Sequence, residues 1–205
     1  MKNIKTLLLI IAISVILFLT VFFLNIITER DNTLTHLRNF TVALQIKEEV
    51  YSFNTEINNK MTGLHAPYIS YTKSDDLSKE NSLSELVKNK PLLIYRYSDV
   101  NCVSCYENEI KTLQESFSDL LESAVILCSY QSDRDLRTFR RLNIIKLPLY
   151  CISFDAFTWT VEDYGNPYYF VLHPNMKISH IYVPDKRYPE LNKQYLEGVK
   201  RFLLE

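Results

Sequence analysis

From Thr6 to Ile27 the chain reads TLLLIIAISVILFLTVFFLNII, 22 residues without a charge, and no other feature restricts its possible folds so strongly. At 1.5 Å per residue, a helix of this length reaches about 33 Å, enough to cross the hydrocarbon of a bilayer. Lys2, Lys5 and the amino terminus precede the run, whereas Glu29, Arg30 and Asp31 follow it. Positive charge on the leading side predicts a cytoplasmic N-terminus and a single pass, with everything from Thr28 onward periplasmic or extracellular. A cleaved signal peptide is the competing reading, but its apolar core is normally about 7 to 15 residues and ends in a small-x-small site. Phe22-Phe23-Leu24-Asn25-Ile26 offers no such site, and the first cysteine stands at 102, which excludes a lipid-modified cysteine at the membrane exit. The expected organisation is a membrane anchor over 1–28, a stalk helix and linker over 29–81, and one folded domain over 82–205.

Charge and glycine content remove several function classes. Lys and Arg number 23 against 24 Asp and Glu with no basic block in the soluble part, so nucleic acid is not an expected partner. The only glycines are Gly63, Gly165 and Gly198, too few and too scattered for a phosphate-cradling loop. No cofactor is expected.

Along the soluble part, Ile46, Val50, Phe53 and Ile57 fall on one helical stripe, which predicts a stalk helix docked on its own domain or on a second copy. Gly63, Pro67 and the polar run 72–80 read as loop. Ser82 and Glu85 resemble a capping box before Leu86 and Val87, predicting a short helix. PLLIYRY (91–97) predicts a strand, and Ile110, Leu113 and Phe117 a helix over 107–121. AVILCSY (124–130) predicts a second strand, DRDLRTFRRL (133–142) a helix and LPLYCISF (147–154) a third strand. Strands over 168–172 and 177–183, joined by a short turn, and a helix from Leu191 onward complete the series. The order β-α-β-α-β-β-β-α implies a parallel sheet with an antiparallel edge, covered on both faces.

Chemistry concentrates at Cys102-Val103-Ser104-Cys105, where the first strand of this series hands over to the long helix. Unpaired N–H groups at a helix start stabilise a thiolate and lower a cysteine pKa from about 8.5 into a range of about 3.5 to 7.5. That makes Cys102 the attacking thiol, and Cys105, one turn later, the thiol that resolves a mixed disulfide. The same spacing is half of a zinc site, but the chain has no second C-x-x-C and no H-x-x-x-H, so no metal is expected. A purely structural 102–105 disulfide is a further reading. Cys128 and Cys151 are isolated, each inside an expected strand, and read as small buried hydrophobes whose pairing the sequence leaves open.

With these residues in view, the chain resembles the thioredoxin superfamily over about 82–205, in particular membrane-tethered extracytoplasmic thiol-disulfide oxidoreductases related to TlpA. The resemblance rests on CVSC after LLIYRY, on the element order, and on Asn166-Pro167 leading into YYFVL. It implies a three-layer fold around a mixed sheet and exchange of disulfides or dithiols with partner proteins. It also implies a cis-proline at Pro167, with Pro167 and Asn166 holding the partner chain and Gly165 easing the turn. Asn101 stands where thioredoxins carry Trp, and Arg96 where thioredoxin has a buried acid. Asp99, Glu107 and Glu109 lie close enough in sequence to raise a nearby thiol pKa. A tethered binding or scaffold module with an inactive dithiol is the alternative.

Overall fold

The computed structural model describes the backbone of residues 2–74, 76–101 and 103–205, and their side chains except those of 2–12, 76–78, 103 and 105. The chain consists of two compact units, 1–49 and 50–205.

The first unit consists of helix α1 (Lys2–Met61) up to residue 49. Every side chain from Ile13 to Gln45 is exposed, Phe18, Phe22 and Phe23 included. A helix that is apolar on all sides suits lipid, because its backbone groups are satisfied internally. Thr20 Oγ1 donates to the Ile16 carbonyl at 2.8 Å and Thr28 Oγ1 to that of Leu24 at 2.9 Å, so these hydroxyls need no water. Among the described residues, this one helix is long and apolar enough to cross a membrane.

The second unit holds strands β1 (Ser70–Lys73), β2 (Asp76–Ser82), β3 (Leu92–Ser98), β4 (Ala124–Ser129), β5 (Leu149–Cys151), β6 (Tyr168–Leu172) and β7 (Ile178–Tyr182). Its further helices are α2 (Val103–Ser116), α3 (Asp133–Leu142) and α4 (Pro189–Leu204). The seven strands form one sheet in the order β2-β1-β5-β4-β3-β6-β7. β3, β4 and β5 are parallel, and the remaining pairings are antiparallel.

Both crossovers, β3-α2-β4 and β4-α3-β5, step in the same direction across the sheet, so the right-handed rule puts α2 and α3 on one face. The core agrees. Ile110 and Leu113 of α2, Phe117 just after it, Leu136 and Phe139 of α3 and Leu196 and Val199 of α4 pack with Leu93, Tyr95 and Ile126. The alternate residues Leu92, Ile94, Val125 and Leu127 face the other way, onto Ile57, Met61, Leu83, Val87 and Trp159. β3 is buried along its whole length, which is why its sequence shows no alternation and reads as an apolar and aromatic run interrupted only by Arg96 before its closing Ser98.

The fold departs from the sequence reading at its start. The compact unit begins at Val50, not at Ser82: Ile57 and Met61 are each 1% exposed. Of the stretch expected as loop, residues 72–73 belong to β1 and 76–80 to the edge strand β2. The capping box is absent, since Ser82 makes no side-chain cap bond and only a short 3-10 turn follows. Helix α2 begins at Val103, four residues before the expected start, and the second face is covered by the end of α1 and by loops instead of helices from the β-α-β series.

At the opposite edge, β7 has no strand beyond it among the described residues, and α1 supplies substitutes. Asn54 Oδ1 accepts from the Val183 N–H at 2.6 Å while its Nδ2 donates to the Val183 carbonyl at 3.1 Å. One turn on, Asn58 Oδ1 accepts from the Ile181 N–H at 2.9 Å. Two amides at i and i+4 thus satisfy strand-edge groups that would otherwise remain open to pairing.

Candidate functional site

The CVSC segment starts where β3 ends. Cys102 lies outside the described residues; Cys105 falls in the first turn of α2, its side chain likewise outside the description. The turn ahead of them is well defined. Asn101 folds back so that its Oδ1 accepts from the Ser98 N–H at 2.6 Å, and its Nδ2 donates to the Gly165 carbonyl at 2.7 Å. Short amide side chains favour such local backbone bonds. Asp99 is half-buried, its Oδ2 accepting from the Gln131 N–H at 2.8 Å.

Gly165 closes a short 3-10 turn in the left-handed conformation, φ 63° and ψ 22°, which glycine adopts at no steric cost. Asn166 is exposed and Pro167 buried, and both border a cleft of about 340 Å³ between α2 and the start of α4. The Asn166–Pro167 bond is trans, since no cis peptide occurs among the described residues; this corrects the cis-proline that the resemblance implied. Gly165 already turns the chain, and trans is the lower-energy isomer by about 0.5–1 kcal/mol.

Two charged side chains are buried beside this turn. Arg96, 2% exposed, donates through Nε to Glu162 Oε1 at 3.1 Å and through Nη1 to the Tyr97 carbonyl at 2.6 Å. Tyr168 Oη donates to the same Glu162 oxygen at 2.8 Å. Arg96 therefore occupies the interior with a paired cation where the resemblance would put an acid. Glu109, one turn beyond Cys105 along α2, is buried and accepts from Tyr169 Oη at 2.9 Å and Asn192 Nδ2 at 3.1 Å. Burial raises its pKa, and the two hydrogen bonds partly offset the rise.

Of the residues singled out by sequence, Asn166 and Pro167 share one turn, and Asn101, the residue preceding Cys102, ties that turn to the end of β3. Cys128 and Cys151 are free thiols. His173 and His180 share the Ser179 hydroxyl, at 2.7 and 2.8 Å, away from this site. Among the described residues, no group of three or more His, Cys, Asp or Glu side chains is placed to hold a metal. The partners Glu162, Tyr169 and Asn192 had no sequence signal; Asn101 had one, as a short amide at a strand-to-helix turn.

A β-α-β-α-β series followed by an antiparallel hairpin and a closing helix, with C-x-x-C at the first of these strand-to-helix junctions, defines a thioredoxin fold. Among solved structures, the chain is similar to a thiol:disulfide interchange protein from Bacteroides sp., with a TM-score of 0.53 at 17% identity over 70% of this chain and 91% of that one. It is also similar to the thioredoxin domain of a thiol-disulfide oxidoreductase from Bacteroides vulgatus, with a TM-score of 0.52 at 17% identity over 69% and 97% of the two chains. No family model and no curated protein matches the chain.

Proposed function

We propose that this chain is a membrane-tethered thiol-disulfide oxidoreductase of the TlpA-like kind, its domain extracytoplasmic and its working groups Cys102 and Cys105. The observation that carries this reading is the 2.7 Å hydrogen bond from Asn101 to Gly165. It brings the residue before the dithiol against the turn that would receive a partner chain.

The helix start favours the Cys102 thiolate. That thiolate attacks one sulfur of a partner disulfide; the S–S bond breaks, the departing thiolate takes a proton, and a mixed disulfide remains. Cys105 then gives up its proton and attacks the Cys102 sulfur. The second partner thiol leaves reduced, and Cys102 and Cys105 leave joined. Run in reverse, the same steps pass a disulfide to a partner dithiol. Exposed Asn166 offers backbone groups to the partner chain, with buried Pro167 fixing the turn behind it.

The test is alkylation rate against pH on the full-length chain in detergent, wild type and with Cys102→Ser or Cys105→Ser. The expected result is a thiol titrating below about 8.5 that disappears in Cys102→Ser, with a partner trapped as a mixed disulfide in Cys105→Ser. With the alkylated positions mapped by peptide, Cys102 reacting only near the free-cysteine value would reject exchange and leave a tethered binding module. In intact cells, a membrane-impermeant alkylating reagent should label the dithiol; labelling only after permeabilisation would reject the extracytoplasmic orientation.

A further inference from the structure

The sheet brings together two cysteines outside the CVSC segment. β4 and β5 run parallel with Cys128 opposite Cys151, at an inter-strand spacing of about 4.8 Å. That spacing lies within the Cα separation of about 4.4–6.8 Å that a disulfide bridges. Both side chains lie on the sheet face covered by α2, α3 and α4, near the carboxyl ends of their strands.

The two sulfurs differ in environment. Cys128 is fully buried, and its S–H is shared between the Tyr150 carbonyl oxygen, 3.4 Å away, and the Cys151 sulfur. Burial raises its pKa, so it stays protonated. Cys151 is partly exposed and accepts from Cys128 and from the backbone N–H of Tyr130. The Cys128 bond lowers its pKa to about 7; burial and Asp133 work against this shift, and Arg96 adds to it. One sulfur is accessible and readily ionised, the other is held against it as a proton-bearing reserve.

We propose that Cys128 and Cys151 form a second dithiol–disulfide couple, in which Cys151 exchanges with low-molecular-weight disulfides and Cys128 resolves the product. The Cys151 thiolate attacks one sulfur of the small disulfide, whose S–S bond breaks, and the leaving thiolate takes up a proton. Cys128 then loses its proton, attacks the Cys151 sulfur and releases the second small thiol. Two protein thiols give up two electrons, and the small disulfide becomes two thiols. A small reactant fits because Cys151 is only partly exposed and its side chain stands on the sheet face that the helices cover. The proposal does not depend on the chemistry of Cys102 and Cys105.

The test uses the full-length chain in detergent with oxidised glutathione as the probe. In Cys102→Ser/Cys105→Ser, a non-reducing digest should yield a Cys128–Cys151 cross-linked peptide that a dithiol reductant converts back to two alkylatable thiols. Adding Cys128→Ala should instead accumulate the glutathione mixed disulfide at Cys151, whereas Cys151→Ala should leave Cys128 unmodified. The wild-type chain, digested in parallel, should yield the same cross-linked peptide, so the result stands even where a variant fails to fold. Cys128 and Cys151 both still alkylatable in folded wild-type protein after exposure to the probe would overturn the proposal. A cross-link that appears only in denaturant would do so equally.

Discussion

The side-chain amide of Asn101 reaches the Gly165 carbonyl, 64 positions away in sequence, at 2.7 Å, while its oxygen holds the Ser98 N–H. One side chain therefore fastens the end of β3 to the Pro167 turn. Asn101→Ala should destabilise the fold by about 1–3 kcal/mol, because it leaves backbone groups without their partners. Asn101→Asp, which keeps the acceptor and loses the donor, should fall between the two. Urea titration of the full-length chain in detergent checks both, and equal stability of the alanine variant and wild type would refute the fastening.

Glu109 provides a pH signature. Its folded pKa is raised above the ordinary value of 4.5 by burial, so the protonated form is the one that folding favours. The resulting stability is fully present below the unfolded pKa and declines as pH rises through the folded pKa. Glu109→Gln stays neutral throughout and should remove that decline. Melting temperatures from pH 4 upward should converge at the acid end and separate in favour of Gln as pH rises; parallel curves would show that Glu109 is not the titrating group.

The Arg96–Glu162 pair predicts non-additivity. Glu162 is about one quarter exposed, at 27%, whereas Arg96 is 2% exposed, so removing the acid strands a cation that has no route to water. Glu162→Gln should cost about 2–3 kcal/mol, below the roughly 3–5 kcal/mol typical of a fully buried pair. Arg96→Met/Glu162→Gln should recover part of that loss. A double-mutant cycle measures the coupling, and a value near zero would remove the pair from the account.

Asn54 closes the β7 edge with two hydrogen bonds to one residue, Val183. Asn54→Ala should cost about 2–4 kcal/mol, since two backbone groups lose partners in a buried setting. Tyr51→Ala, three positions earlier and 70% exposed, should stay within about 0.5 kcal/mol. Hydrogen exchange at the Val183 amide should accelerate only in the former, while the Ile181 amide, held by Asn58, serves as the unaffected reference.

Much of this architecture was legible in the sequence because the central strands are buried on both faces. LLIYRYS and AVILCS are apolar and aromatic runs apart from Arg96 and their closing serines, and DRDLRTFRRL carries Leu136 and Phe139 on its single buried side. β1 and β2 were hidden for the opposite reason: SYTK and DLSKENS are short and mostly polar, β2 being the edge strand and β1 the one beside it, where exposure weakens the hydrophobic pattern that marks a strand. Helix α2 starts earlier than its apolar spacing indicates because Val103 to Cys105 precede that spacing. Around the dithiol, the sequence marked residue types and positions. It could not supply partners such as Glu162 for Arg96 or Gly165 for Asn101, which are separated by more than sixty residues and meet only through β-sheet topology.

The final turns of α1 impose a condition on any release of the domain by proteolysis. Asn54, Ile57 and Met61 belong to the core and edge of the second unit, so a protease that cut after Met61 would remove part of the fold together with the tail it severed. A cut ahead of Val50 would leave those contacts intact. The shortest fragment that can be shed, or expressed for study, as a folded domain is therefore set by where the helix stops being exposed and not by where the sheet begins.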